Sequence, residues 1–429
     1  MKKKICVLGM GYIGLPTSAM FANHGHEVIG VDVNENVVGA LNHGEITIEE
    51  PGLQGFVRSA VEKGNLRAQS QPEKADVYII AVPTPISQEQ KADLSYVEAA
   101  TNAIVPFVCS GNIVIVESTI PPRTITDVVN PILKQTGLEL GTELYVAHCP
   151  ERVLPGQILI ELVHNNRIVG GINDISAHKA AEVYQSFVKG EIYKTDATSA
   201  EMAKLMENTF RDVNIALANE LTMISERLGV NALEVIKMAN KHPRVNIHQP
   251  GPGVGGHCIA VDPYFIIEKA PEEAKMIMLA REINNSMPIF VVDQMHKICH
   301  VNPRKVAVLG ITYKGNIDDV RESPALEILE ILQNEGILFS IYDPHVKHFH
   351  ERLAQSLEEA LTGADCAVIL ADHNEFKQVN YDDLARLMST PIILDTKNCI
   401  SSPCIKMQVH RLGNYDNRLM EGEVVEKVY

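Results

Sequence analysis

The stretch Gly9-Met10-Gly11-Tyr12-Ile13-Gly14 constrains the start of this chain more than any other feature. A short apolar run, Ile5 to Leu8, precedes it, and a helical pattern from Leu15 to His24 follows. A second apolar run begins at Glu27 and ends in an acid, Asp32. The first glycine suits a tight turn, the second lets backbone approach a pyrophosphate, and the third lets helix and strand pack closely. The helix N-terminus offers unpaired N–H groups to phosphates. Asp32, eighteen residues past Gly14, is spaced to accept hydrogen bonds from adenosine ribose hydroxyls. An acid there favours NAD over NADP, because it repels a 2′-phosphate. The pattern predicts a dinucleotide site built on Gly9, Gly11, Tyr12, Ile13, Gly14 and Asp32.

Further strands follow at α/β spacing: Ala75 to Val82, Asn112 to Val116 and Leu144 to Ala147. Each runs into polar residues and prolines. Ligands of open parallel sheets bind beyond the carboxyl ends of the strands, which makes Thr84, Thr119 and Glu151 candidates for one shared site. From Ala197 to Leu228 the pattern is a single long helix, a spine and a candidate dimer interface. Glu201, Lys204, Asn208 and Arg211 recur at spacings of three, four and three and share a face. Such a stripe is either a solvated surface or the lining of a cleft. Helices are expected at 231–240, 272–286 and 288–299.

The last third repeats the plan of the first. Lys305 to Gly310 echoes Lys4 to Gly9, the run at Ala364 echoes that at Ala75, and Pro391 to Asp395 echoes the strand at Asn112. The glycine fingerprint is incomplete here, since Gly310-Ile311-Thr312-Tyr313-Lys314-Gly315 keeps only its ends. The expected fold is therefore α/β, with two doubly wound Rossmann-like domains joined by a central helical domain with a long spine helix. The boundaries are 1–196, 197–300 and 301–429. The last domain is expected to hold a nucleotide in a different way, with Lys314 and Arg321 as contacts. Residues after Leu412 are expected to be mobile.

Composition closes off other classes. A net charge of −16 argues against nonspecific binding to nucleic acid or an anionic membrane surface. No apolar stretch reaches membrane-spanning length, and a cytoplasmic protein is expected. The eight cysteines include no Cys-x-x-Cys pair, so no zinc site is expected. His345, His348 and His350 are read as surface residues, and no metal is assigned.

One stretch remains, Pro250-Gly251-Pro252-Gly253-Val254-Gly255-Gly256-His257-Cys258-Ile259-Ala260-Val261-Asp262-Pro263. Its glycines let backbone come close to a ligand. Cys258 is either a structural cysteine after a turn or a nucleophile. Beside a hydride acceptor, a thiol can capture an aldehyde as a thiohemiacetal, whose oxidation gives a thioester and, with water, an acid.

Taken in order, Gly9-x-Gly11-x-x-Gly14, Glu117-Ser118-Thr119, Pro150-Glu151-Arg152-Val153-Leu154-Pro155-Gly156, Lys204…Asn208-x-x-Arg211, Gly255-Gly256-His257-Cys258 and Tyr313-Lys314…Arg321-Glu322-Ser323-Pro324 resemble the UDP-glucose/GDP-mannose dehydrogenase family nearly end to end. The resemblance implies an NAD-dependent, four-electron oxidation of a sugar C6 hydroxymethyl. The segments around Glu151 and Cys258 resemble those of members acting on UDP-N-acetyl-D-mannosamine. UDP-glucose, UDP-N-acetylglucosamine and GDP-mannose are the alternatives.

The resemblance also implies roles. Cys258 would be the nucleophile, with Lys204 and Asn208 stabilising the oxyanion. Thr119, Glu151 and Asp262 would place and activate water. Arg152, Val153, Lys204, Asn208, Arg211, His242, Arg244, Gly255, Tyr313, Lys314 and Lys397 would contact the UDP-sugar. Thr84, Thr119 and Arg321 would join the NAD site. Arg244 would reach into a neighbouring subunit, implying at least a dimer. Two rivals are a single-step β-hydroxyacid dehydrogenase and a non-catalytic nucleotide-sugar sensor.

Overall fold

The computed structural model of the chain describes residues 2–87, 89–299 and 302–415. The first sheet has eight strands: β1 (Lys4–Leu8), β2 (Glu27–Val31), β3 (Leu66–Gln69), β4 (Val77–Ile80), β5 (Ile113–Val116), β6 (Tyr145–His148), β7 (Arg167–Gly171) and β8 (Ile192–Asp196). Their order is β3-β2-β1-β4-β5-β6-β7-β8, and every neighbouring pair is parallel except β6 with β7. The first six strands follow the doubly wound dinucleotide-binding order.

Both faces of the sheet are buried. Ile5 and Val7 of β1 enter one apolar core, while Cys6 and Leu8 enter the other. This alternation is the period of two expected of a strand, and full burial is why these strands read as continuous apolar runs. Strands β3, β7 and β8 gave no such run. Strand β3 alternates buried with exposed positions, and β8 is largely polar and exposed. Strand β7 begins with an arginine and ends in Gly170 and Gly171. A Cβ at Gly170 would lie 2.4 Å from the Asp196 oxygen, and one at Gly171 would lie 2.3 Å from the Ala177 nitrogen.

The second sheet contains β9 (Lys305–Leu309), β10 (Leu338–Tyr342), β11 (Cys366–Ile369), β12 (Ile392–Asp395) and β13 (Gln408–Arg411), all parallel, in the order β10-β9-β11-β12-β13. It too separates two cores, Val306 and Val308 facing one and Ala307 and Leu309 the other.

The long helix spans Ala197–Leu228, as its pattern predicts. Its outward and inward faces differ from the usual arrangement. Glu201 and Lys204 are buried, whereas Met206 and Phe210 are exposed. Glu201 accepts the backbone N–H groups of Arg123 (2.5 Å) and Ile125 (2.8 Å), so this member of the stripe is structural.

The helices expected at 272–286 and 288–299 are one helix, Lys275–Cys299, with Pro288 inside it. Proline removes the bond to the carbonyl four residues earlier and crowds it, here the carbonyl of Asn284. Apolar packing carries the helix through, with Met287, Val291, Val292 and Met295 all buried in the second sheet's core.

Among the described residues the chain separates into two compact units: residues up to Glu207 with Tyr264–Pro271, and Asn208–Pro263 with the chain from Glu272 onward. Leu412 is buried, and Gly413 accepts the Ala232 N–H at 2.7 Å, so the first residue of the tail expected to be mobile is pinned. Residues 416–429 and Val301 lie outside the described residues. Among those described, no helix is long and apolar enough to cross a membrane.

Beneath the first sheet's carboxyl ends lies a buried polar cluster. Glu117 accepts hydrogen bonds from the Tyr184 hydroxyl (2.6 Å) and the Thr17 hydroxyl (3.3 Å). Burial pushes its pKa up to about 7, opposed by the nearby Arg167 charge and reinforced by Glu151. A folded pKa above the ordinary 4.5 means the native state holds the extra proton between about pH 4.5 and 7, so this group's contribution to stability falls as pH rises through that window. We predict that Glu117→Gln, which cannot ionise, gains stability relative to the parent between pH 5 and pH 8 in urea titrations; parallel curves for the two proteins would count against a neutral Glu117.

Candidate active site

The fingerprint glycines of the first unit serve different neighbours. Gly9 has φ +94° and a Cβ there would lie 2.4 Å from the Ala81 oxygen, while a Cβ on Gly14 would lie 1.8 Å from the Gly9 oxygen. Those two are demanded by packing within the protein. A Cβ on Gly11 would meet nothing within 4 Å. That open space is where a ligand's pyrophosphate can approach bare backbone. The helix Gly14–Asn23 has no side-chain cap at Ile13, which leaves its first N–H groups to an anion. Asp32 accepts the Met10 N–H and the Asn34 N–H, both at 2.9 Å. It braces the glycine turn and presents its carboxylate beside it. These residues fit NAD.

The loops after β4 and β5 are tied together. The Thr84 hydroxyl donates to the Thr119 carbonyl (2.5 Å), and the Ser118 hydroxyl donates to the Val82 carbonyl (2.7 Å). After β6, Glu151 accepts from the Arg152 N–H (2.8 Å) and from Arg167 (2.7 Å), with Arg167 buried. Arg152 itself pairs with Glu207 at 2.6 Å, and Val153 packs against the first core. Glu50 receives the N–H groups of Gly156 (2.7 Å) and Ile158 (2.8 Å) and so holds the far side of this loop. Lys204 is buried in the same unit, and its charge adds to burial in lowering the His148 pKa to about 3. Arg167, Glu50 and His148 carry no motif and were missed; only a buried position marks them.

In the second unit the cysteine loop is short of side chains and is shaped by others. A Cβ on Gly255 would lie 2.2 Å from the Glu322 oxygen, and one on Gly256 would lie 2.7 Å from the Tyr313 ring. The two glycines thus admit Tyr313 and its neighbours, which brings Tyr313 to the loop. The Lys397 ammonium stands 3.4 Å from where a Gly251 Cβ would be. Cys258 is exposed, and its carbonyl accepts the Asp262 N–H at 2.8 Å. Asp262 is buried at the start of the helix Asp262–Lys269 and accepts from the Asn208 amide at 2.6 Å. His257 contacts Asp319 (2.9 Å), and Arg321 grips both oxygens of that carboxylate at 2.9 Å. Burial opposes ionisation of Asp319, but Arg321 and His257 prevail and hold its pKa at about 2. Arg211, His242, Arg244 and Lys314 are exposed.

The repeat of the first unit is closer than the glycines suggested. The Gly9 N–H bonds the last residue of β2 and the Gly310 N–H the last residue of β10, both at 2.8 Å. The Ile311 N–H donates to Asp343 at 2.8 Å, as the Met10 N–H does to Asp32. Asp343, however, is fully enclosed and contacts His373 at 3.1 Å. The acid that would read a ribose is internalised, so a nucleotide must be held differently here. His345 departs from the surface reading: it stacks on His373 at 4.8 Å and lies 3.3 Å from Glu375. One potential metal-ligand atom from each of these three lies within 4.8 Å of the others. The Asn316 N–H donates to His373 Nδ1 at 2.9 Å, placing the ring proton on Nε2, the atom that would have to be the ligand. His348 and His350 are exposed.

Comparison with known proteins names the class. The chain matches the NAD binding domain (residues 3–188), the central domain (198–286) and the UDP binding domain (307–402) of the UDP-glucose/GDP-mannose dehydrogenase family. It belongs to that family and is an oxidoreductase that uses NAD. It is 50% identical over 426 residues to the UDP-N-acetyl-D-mannosamine dehydrogenase of Methanococcus maripaludis strain C7, covering 96% of this chain and 97% of that one. It is 46% identical over 414 residues to an NDP-N-acetyl-D-galactosaminuronic acid dehydrogenase of Ralstonia nicotianae, covering 93% and 97%. Among solved structures, the UDP-N-acetyl-mannosamine dehydrogenase Cap5O from S. aureus is similar with a TM-score of 0.89, 52% identity and coverage of 96% and 99%.

The glycine geometry gives a contrast to test. Gly11→Ala should keep the thermal stability within about 1 kcal/mol and weaken NAD at least about tenfold in calorimetric titration. Gly14→Ala should prevent the first unit from folding, because a backbone oxygen occupies the Cβ position. Equal effects on stability would contradict this division of labour.

Proposed function

We propose that this enzyme oxidises the C6 hydroxymethyl of UDP-N-acetyl-D-mannosamine to the uronate in two NAD-dependent steps through a covalent link to Cys258. The observation that carries the proposal is an exposed cysteine in a glycine loop, followed four residues on by a buried, hydrogen-bonded Asp262, in a chain of this family.

NAD supplies the hydride acceptor for both steps, held by Gly9, Gly11, Tyr12, Ile13, Gly14 and Asp32 with Thr84, Thr119 and Arg321 as further contacts. The alcohol loses a proton and a hydride to become an aldehyde. The Cys258 thiol adds to the aldehyde carbon, giving a thiohemiacetal. Loss of a second hydride and a proton gives a thioester, and water cleaves it to the acid and the free thiol. One alcohol and one water thus reduce two NAD and release three protons at neutral pH.

Lys204 and Asn208 stabilise the oxyanion stages, where preorganised donors act most strongly. Thr119, Glu151 and Asp262 place the water. The doubly held Glu151 carboxylate and the Asn208–Asp262 bond support fixed positions for two of them. Arg152, Val153, Arg211, His242, Arg244, Gly255, Tyr313, Lys314 and Lys397 bind the UDP-sugar. We assign the central region 197–300 as a domain between 1–196 and 301–429, and the enzyme to the cytoplasm.

The assembly is at least a dimer. Phe210, Leu217, Ile224 and Leu228 are exposed on one face of the long helix, at spacings of seven, seven and four. That is an apolar seam of the kind a second helix covers. The exposed Arg244 is free to reach a partner's site.

The Ralstonia relative favours one second reading, the same chemistry on an N-acetylgalactosamine-type nucleotide sugar. A rate panel including that sugar, UDP-N-acetyl-D-mannosamine, UDP-glucose, UDP-N-acetylglucosamine and GDP-mannose decides the substrate. With limiting UDP-N-acetyl-D-mannosamine we expect two NADH per sugar, and Cys258→Ala to lose at least about a thousandfold in the overall oxidation. One NADH per sugar, or an indifferent Cys258→Ala, would sink the proposal.

A further inference from the structure

In Pro250-Gly251-Pro252 only Gly251 has a backbone N–H, since proline has none. All three residues are buried, and a buried N–H without an acceptor is costly. Gly251 donates to the Asn219 side-chain oxygen at 2.9 Å. Asn219 donates through its amide to Asn284 at 2.9 Å. Asn284 donates to both the carboxylate (2.8 Å) and the backbone carbonyl (3.0 Å) of Asp212. Arg281 donates to the same carboxylate oxygen at 2.6 Å. Asn219, Asn284, Asp212 and Arg281 are all buried, and none belongs to the motifs of the family resemblance.

Every bond in this relay points the same way. A carboxylate only accepts, so Asp212 fixes which end of the Asn284 amide faces it. That choice presents the Asn284 oxygen to Asn219 and leaves the Asn219 oxygen for Gly251. Aligned chains of this kind strengthen one another. Two residues further on, the Asn284 carbonyl, released from its helix bond by Pro288, lies 3.2 Å from where a Gly253 Cβ would be. The helix Lys275–Cys299 therefore meets the cysteine loop at Gly253 with backbone, while the relay holds it at Gly251.

From this geometry we infer that Asn219, oriented by Asn284 and Asp212, is a positioning residue for Cys258: it fixes the entry of the loop that carries the thiol. The inference rests on the reaction proposed above, in which Cys258 must meet a reacting carbon. Small misplacements of a reacting group cost rate more than affinity.

Asn219→Ala in the full-length enzyme removes the acceptor. We expect kcat to fall roughly 10- to 100-fold, with KM for UDP-N-acetyl-D-mannosamine and NAD affinity within about threefold. Alkylation of Cys258 by iodoacetamide, followed by peptide mass spectrometry, should change by more than about threefold. Amide exchange of the 248–256 peptide should quicken. The alkylation and exchange arms need no substrate. Should the parent enzyme oxidise no UDP-sugar, the proposed function fails while these two arms still decide the positioning. The parent protein also tests the relay without any variant, since the Gly251 amide should exchange as slowly as buried helix amides; this arm decides the matter if Asn219→Ala does not fold. A Gly251 amide that exchanges like an exposed turn overturns the inference. So does an Asn219→Ala enzyme that melts earlier yet keeps kcat and Cys258 alkylation within about twofold.

Discussion

A hydrogen bond from the Asn208 amide to the Asp262 carboxylate, at 2.6 Å, ties the long helix to the end of the cysteine loop. Asp262 opens a helix, and its N–H binds the Cys258 carbonyl. Any shift of Asp262 therefore moves the cysteine. A loop with so few side chains cannot hold its own shape, because glycine leaves the backbone most of its freedom. Its position is imposed from outside, at Asp262 by Asn208, at His257 by Asp319, at Gly255 and Gly256 by Tyr313 and Glu322, and at Gly251 by Asn219. A typical internal hydrogen bond nets only about 1 kcal/mol, and those to charged groups about 1.5–3. Several tethers together suffice to hold a short segment against its conformational entropy.

The two sheets show how one plan supports different tasks. In each, the first strand runs into a glycine whose N–H binds the end of the second strand, and an aspartate after that second strand catches the next N–H. In the first unit that aspartate keeps an open side, and the following helix lacks a cap. The turn is left with donors and an acceptor for a dinucleotide. In the second unit the matching Asp343 is enclosed with His373, and the same turn becomes a support for Tyr313. The fold is shared, and the site is what differs.

Much of this was legible in the chain. Strands buried on both faces produce unbroken apolar runs, so β1, β2, β4, β5 and β6 stood out. The long helix was readable because its pattern persists through Ala197–Leu228. Strand β8 was not, because an exposed edge needs no apolar run. The break expected at Pro288 did not occur, because core packing outweighs one lost helix bond. At the site, residues with chemistry and fixed spacing, such as Cys258, Lys204 and Asp262, were visible. Arg167, Glu50, Asn219 and Asn284 were not. They act by holding something else, at separations along the chain of 16 residues for Arg167 to Glu151 and 32 for Asn219 to Gly251, and no local pattern encodes such pairings.

The proposed chemistry depends on a covalent bond between Cys258 and the substrate carbon. Acid quenching within one turnover, followed by mass spectrometry of the peptide containing Cys258, observes that bond directly. The account predicts a transient mass increase on Cys258 equal to the thioester-linked UDP-sugar, rising with the second NADH and decaying as the acid forms. An unmodified Cys258 throughout turnovers that yield two NADH would contradict it.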